Sequence, residues 1–86
     1  MKERKKAAAL QYSEDLYAPK VVAKGMGLIA DKIIEEANKE EVPVVYNKEM
    51  ADLLNNVDVG DYIPSELYEA VAHIIAYIVD VDKGVK

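Results

Sequence analysis

Apolar positions change their spacing several times along this chain of 86 residues, and each change marks an element. Over 6–12 the alternation of Ala8, Leu10 and Tyr12 has the period of a strand, although three successive alanines are equally compatible with helix. A polar connection follows and ends at Pro19, which biases Ala18 toward extended backbone. A short strand over 20–24 is built on Val21 and Val22, and Gly25 and Gly27 let the chain turn into a helix. Met26, Ile29, Ala30, Ile33, Ile34 and Ala37 then recur at steps of three and four, one face of that helix. Asp31, Lys32, Glu35, Glu36 and Lys39 fall on the other side.

Residues 42–46 are mostly apolar and read as an internal strand, with Pro43 near its start, where a missing N–H does least harm. Asn47 is placed to cap a helix running to about Asn55 that buries Met50, Leu53 and Leu54. A loop over 57–61 leads to Pro64, which suits the first position of a last helix. That helix is expected to reach about Asp80 on a stripe of Leu67, Val71, Ile74, Ile75 and Ile78. The order predicts an α/β fold: a small mixed β-sheet of about three strands covered by three helices. The 21–25 strand, the long helix and the 42–46 strand form one βαβ unit with a right-handed parallel crossover, and the 6–12 strand pairs antiparallel with its successor. Residues 1–5 are expected to be a basic flexible N-terminus, 6–80 one domain, and 81–86 a flexible tail.

Composition narrows the class. Hydrophobic residues make up 51%, with no Trp or Phe, so the core is aliphatic and six tyrosines are the only aromatics. The absence of Cys excludes disulfides and thiolate metal sites and fits a reducing compartment. No apolar run approaches the roughly 20 residues that span a bilayer. The basic start is followed by far less than the roughly 7–15 apolar residues of a secretory leader, so a cytoplasmic protein is expected. The net charge of −5 hides an asymmetry: Lys2, Arg4, Lys5 and Lys6 face a single Glu3, while the remaining residues carry 7 basic and 15 acidic groups. An acidic body repels phosphate and argues against nucleic acid as the main partner. The basic end is either a solvated terminus or a contact for an acidic partner, an anionic membrane or RNA.

Candidate chemistry is sparse. His73, the only histidine, lies off the apolar stripe with Glu69 one turn before it, and no nucleophile stands near it in sequence. Adjacent carboxylates such as Glu35 and Glu36 diverge around a helix and do not share a site. Gly25-Met26-Gly27 occupies the strand-to-helix position of phosphate-binding turns and Lys24 could assist an anion there, but the third glycine and the Lys-Ser/Thr pair are missing. Tyr62 and Tyr68 bracket the start of the last helix, either as packing groups with a wet hydroxyl or as an interaction surface. No catalytic residue, cofactor or metal ligand is expected.

Four segments carry a family resemblance. They are Ala9-Leu10-x-Tyr12; Ala18-Pro19-x-Val21-Val22-Ala23-Lys24-Gly25; Val42-Pro43 with Asn47; and Ile63-Pro64-x-Glu66-Leu67-Tyr68-Glu69-Ala70-Val71-Ala72. Each is weak alone, and all four in order are specific. The chain resembles, from about Lys6 to Asp80, the C-terminal cytoplasmic domain of the FlhB/YscU family, the substrate-specificity switch of type III (flagellar and injectisome) export. Relatives of this kind cut themselves at an Asn-Pro-Thr-His motif, where the Asn side-chain amide attacks its own carbonyl. The equivalent stretch here is Lys2-Glu3-Arg4-Lys5, which has no amide placed to cyclise.

The resemblance therefore implies a counterpart of the post-cleavage fragment, existing as a free protein that does not cleave itself. Without the strand that precedes the motif in the family, one sheet edge is expected to lack a partner. Lys2, Arg4, Lys5 and Lys6 would then guard that edge or steer the chain to an acidic or membrane-proximal partner. The function implied is a non-enzymatic interaction module of the flagellar export apparatus. Its implied partners are export-apparatus proteins and the N-terminal part of a full-length FlhB, with no nucleic acid and no membrane span. It would be cytoplasmic and recruited to the inner face of the membrane. Lys20, Lys24, Tyr62, Pro64 and Tyr68 are the further candidate contacts. The alternative is a small RNA- or anion-binding protein that uses the basic arm.

Overall fold

The computed structural model describes residues 5–13 and 15–82, the last four by backbone alone. Strand β1 (Lys6–Gln11) runs antiparallel to β2 (Lys20–Met26), and three helices follow: α1 (Leu28–Lys39), α2 (Lys48–Leu54) and α3 (Tyr68–Asp82), the last entered through a single 3-10 turn over Ser65–Leu67. Ala7 faces Gly25 and Ala9 faces Ala23 in the ladder, while Ala8 faces Lys24 and Leu10 faces Val21 after a bulge in β2. The two faces of the ribbon therefore differ. One carries the small residues Ala7, Ala9, Ala23 and Gly25, and α1 lies on it with Ala30 fully buried. Gly25 is what permits the close approach: a methyl group there would lie 2.9 Å from Ile29 Cβ and closer still to Ile29 Cγ2.

The other face builds the main core. Val21 packs there with Met50 and Leu54 of α2, Val57 and Ile63 of the following loop, and Leu67 and Val71 at the start of α3, with Ala8, Leu10, Ile74 and Ile75 against them. Val21 and Val71 are the largest fully enclosed side chains. As the sequence predicts, Asn47 caps α2, its side chain accepting the Met50 N–H at 3.0 Å. Leu53, expected inside, is exposed, and α3 runs two residues past the expected end. Met26 belongs to β2 rather than to the helix, so α1 begins after Gly27, whose φ of 64° suits glycine.

The expected third strand does not form. Among the described residues, 42–47 take no regular secondary structure and join no ladder, so the sheet has two antiparallel strands and no parallel βαβ crossover. Two features of the chain account for this. The outer edge of β2 is already taken: Val21 donates to Asp61 and accepts from Gly60, Ile63 donates to Pro19, and Lys20 bridges to Tyr62. The start of the segment is committed to closing α1, where Val42 donates to Ala37 at 2.7 Å and Glu41 to Asn38 at 3.3 Å, a Schellman closure with Glu41 at a φ of 61°. Residues 42–47 instead form the far wall of an open trough of about 1220 Å³ whose near wall is the free edge of β1.

Two stability changes follow from this geometry. Gly25→Ala forces α1 off the ribbon and is expected to cost about 1–3 kcal/mol in urea unfolding. Adding Ile29→Ala, at a side chain 59% exposed, is expected to recover part of that loss by removing the worse contact. Glu41→Gly places the residue that a left-handed helix end favours and is expected to raise stability by about 1 kcal/mol. A fall in unfolding midpoint for Glu41→Gly would contradict the closure described.

Candidate functional site

The bend that joins β1 to β2 and the approach to α3 meet at one end of the ribbon, held by the Ile63 to Pro19 hydrogen bond and the Lys20–Tyr62 bridge. This brings together three tyrosines from separate parts of the sequence. The Tyr17 and Tyr62 rings meet edge to face, with centroids 5.6 Å apart and planes at 72°. The Lys20 ammonium sits 5.3 Å from the Tyr62 ring centre, a cation–π contact. Tyr68, at the first position of α3, lies beside Tyr17 on the same surface. A shallow pocket of about 310 Å³ opens beside them, lined by Leu16, Pro19, Ala72 and Ile75 as well as Tyr17 and Tyr68.

Of the residues that the sequence singles out, Lys20, Tyr62 and Tyr68 thus gather at one surface, while Pro64 caps the 3-10 turn that leads into α3. Tyr17, 79% exposed and central to the cluster, was not among them. Its only sequence signal is its place two residues before Pro19, in a connection with no periodicity to mark a face. The patch is amphipathic, with aromatic bodies, hydroxyls and one cation, the kind of surface that protein interfaces favour.

Lys5, Lys6 and Lys24 lie elsewhere and are occupied. Lys24 donates to the Asn55 carbonyl at 3.1 Å, so its ammonium is directed to the end of α2 and not to the Gly25–Gly27 turn. Asn55 in turn donates its side-chain amide to Ala7 at 3.0 Å, which clamps α2 to β1. Lys5 pairs with Asp31 at 2.8 Å, and that hydrogen bond and charge hold its ammonium above the usual lysine range. Lys6 pairs with Asp52 at 2.9 Å. Lys2 and Arg4 lie outside the described residues. The basic arm therefore does not converge with Lys20 into one cationic site among the described residues. His73 is exposed on α3.

With this arrangement in view, the comparison with known proteins defines the class. The family model described as the FlhB HrpN YscU SpaS Family matches residues 4–78, and the chain belongs to that family. It is 43% identical over 90 residues to the uncharacterized protein YlqH of Bacillus subtilis (strain 168), covering all of this chain and 97% of that one. It is 50% identical over 74 residues to the flagellar biosynthetic protein FlhB of Aquifex aeolicus (strain VF5), covering 84% of this chain but only 21% of the relative. Against the crystal structure of the cytoplasmic domain of FlhB from Shewanella putrefaciens the TM-score is 0.82 at 30% identity, covering 92% of this chain and 69% of that one. No helix among the described residues is long and apolar enough to cross a membrane.

The tyrosine cluster has a titration signature. Desolvation against its neighbours and the hydrogen bond with Tyr17 push the Tyr68 phenol above the usual tyrosine range. A raised phenol pKa favours the protonated folded state. Its contribution to stability is therefore complete below the unfolded pKa near 10 and declines as pH rises through the higher folded value. Ultraviolet or NMR titration is expected to find Tyr68 ionising later than a free phenol, with the shift reduced in Tyr17→Phe. An unshifted Tyr68 would show that the two hydroxyls do not meet in solution.

Proposed function

We propose that this chain is a non-enzymatic interaction module of the flagellar type III export apparatus. It stands in for, or modulates, the C-terminal substrate-specificity switch domain of FlhB. The observation that carries the reading is the match to the cytoplasmic domain of FlhB across 92% of this chain at a TM-score of 0.82. The chain spans about a fifth of the Aquifex FlhB that it matches, so membrane functions of such proteins are no part of the proposal. Self-cleavage is not part of it either: Pro19, Pro43 and Pro64 follow Ala18, Val42 and Ile63, and no Asn-Pro pair occurs in the sequence.

On this reading the surface formed by Tyr17, Lys20, Tyr62 and Tyr68 meets export-apparatus proteins at the inner face of the membrane. Acidic composition and the internal engagement of Lys5, Lys6 and Lys24 support a protein partner over RNA. Expression in a flagellated cell whose FlhB is truncated before its C-terminal domain is expected to restore late-substrate export and motility. The Tyr17→Ala/Tyr62→Ala double variant is expected to lower that rescue severalfold while remaining soluble. Soluble wild-type protein with no rescue would overturn the stand-in role, and equal rescue by the double variant would remove the tyrosine surface from the contact.

A further inference from the structure

The tyrosine surface has a charge as well as a shape. Asp15, Asp61, Glu66 and Glu69 each stand within two residues of Tyr17, Tyr62 or Tyr68, and no Lys or Arg does. All four carboxylates are exposed. None of them is in an ion pair among the described residues, whereas Asp31 and Asp52 are matched by Lys5 and Lys6. The imbalance continues through α2 and α3: between Lys48 and Lys83 the chain holds eight carboxylates and not one Lys or Arg. A single cation reaches the cluster, Lys20, and it lies over the Tyr62 ring.

We propose that this surface receives an arginine of a protein partner, its guanidinium stacked on the Tyr17 ring and drawn in by the acidic rim. The proposal rests on reading this surface as a contact, and it adds the charge and the side chain that the partner presents. An aromatic face carries negative potential and attracts a cation placed over it. Lys20 makes that contact within the chain, 5.3 Å from the Tyr62 centre. Its place on Tyr62 leaves Tyr17, 79% exposed, as the open ring. The two rings meet at 72°, and an edge-to-face pair leaves at least one face of each ring clear of the other. The Ile63 to Pro19 hydrogen bond and the Lys20–Tyr62 bridge hold this end of the ribbon together, so a partner has less ordering to do on binding.

The chemistry favours arginine over the alternatives. A guanidinium is planar and weakly hydrated, and it stacks on a ring while its N–H groups bond carboxylates. An ammonium is a compact, strongly hydrated point charge. Tyrosine and arginine are also enriched among the residues that dominate interface energies. An acidic partner would meet four carboxylates for one ammonium, an arrangement that like charges disfavour. A second copy brings the same acidic rim and a single arginine, Arg4.

The test is selection of a phage-displayed library of random dodecapeptides on the full-length chain, after removal of peptides that bind the Tyr17→Ala/Tyr62→Ala variant. The surviving peptides are expected to share an arginine, and its replacement by citrulline, the neutral isostere, is expected to weaken them about tenfold. Tyr17→Phe is expected to hold the affinity within about twofold and Tyr17→Leu to weaken it about fivefold, since leucine keeps apolar bulk but has no ring. Glu66→Gln/Glu69→Gln is expected to weaken binding severalfold and to flatten its dependence on salt. Tyrosine-dependent peptides without arginine, equal binding by Tyr17→Leu, or acidic peptides lost in Lys20→Ala overturn the arginine and leave the contact surface standing. Tighter peptide binding by Arg4→Gln would mean that the chain's own arginine competes for the ring, which overturns its assignment to a partner. A library that yields no tyrosine-dependent peptide overturns both the arginine and the contact surface.

Discussion

The placement of Val21 is the constraint on which the remaining structure depends. Its side chain is fully enclosed between α2, the 57–63 loop and the start of α3. Its backbone N–H and C=O are both bonded to Asp61 and Gly60, and its ladder position faces Leu10. A single residue thus fixes the register of the ribbon, seats the loop and orients the core. Burying a valine contributes on the order of 1.5–3 kcal/mol by itself. The larger consequence is geometric, because Lys20 and Tyr62 on either side of this junction are the residues that open the tyrosine surface.

The two sheet edges have opposite fates for a related reason. The loop that bonds to Val21 occupies the outer edge of β2, which leaves only the far side of β1 for any further strand. The apolar segment 42–46 could serve, but its first N–H closes α1 and Pro43 has none to give. The result is a fold with helices on both faces and an open slot along one side, a state that unpaired edges normally avoid.

Charge plays a supporting part. The exposed Lys5–Asp31 and Lys6–Asp52 pairs contribute little stability in water, but they position β1 against α1 and α2 at the mouth of the trough. Lys24 and Asn55 do the same from within, linking β2, α2 and β1 through two hydrogen bonds. Lys5, Lys6 and Lys24 are therefore tied into the fold, whereas Lys20 lies on an aromatic surface.

What the sequence determined by itself is every feature set by local chemistry. The spacing of Val71, Ile74, Ile75 and Ile78 sufficed for α3, Asn47 for the start of α2, and the four motif segments for the family, whose resemblance also decided for a strand over the ambiguous 6–12 segment. What failed was decided by neighbours distant in sequence. Residues 42–46 have the composition of a buried strand, but a strand exists only where an unpaired edge lies within hydrogen-bonding reach, and here one edge is occupied and the other lies across a trough. Leu53 and Ile29 carry the right periodicity and remain exposed, because periodicity names a face without saying what covers its rim. Tyr17 joins the candidate surface only because the ribbon end brings it to Tyr62 and Tyr68. Local propensity and pattern specify elements, whereas pairing, coverage and the assembly of a surface are properties of contacts between them, and those only the tertiary structure decided.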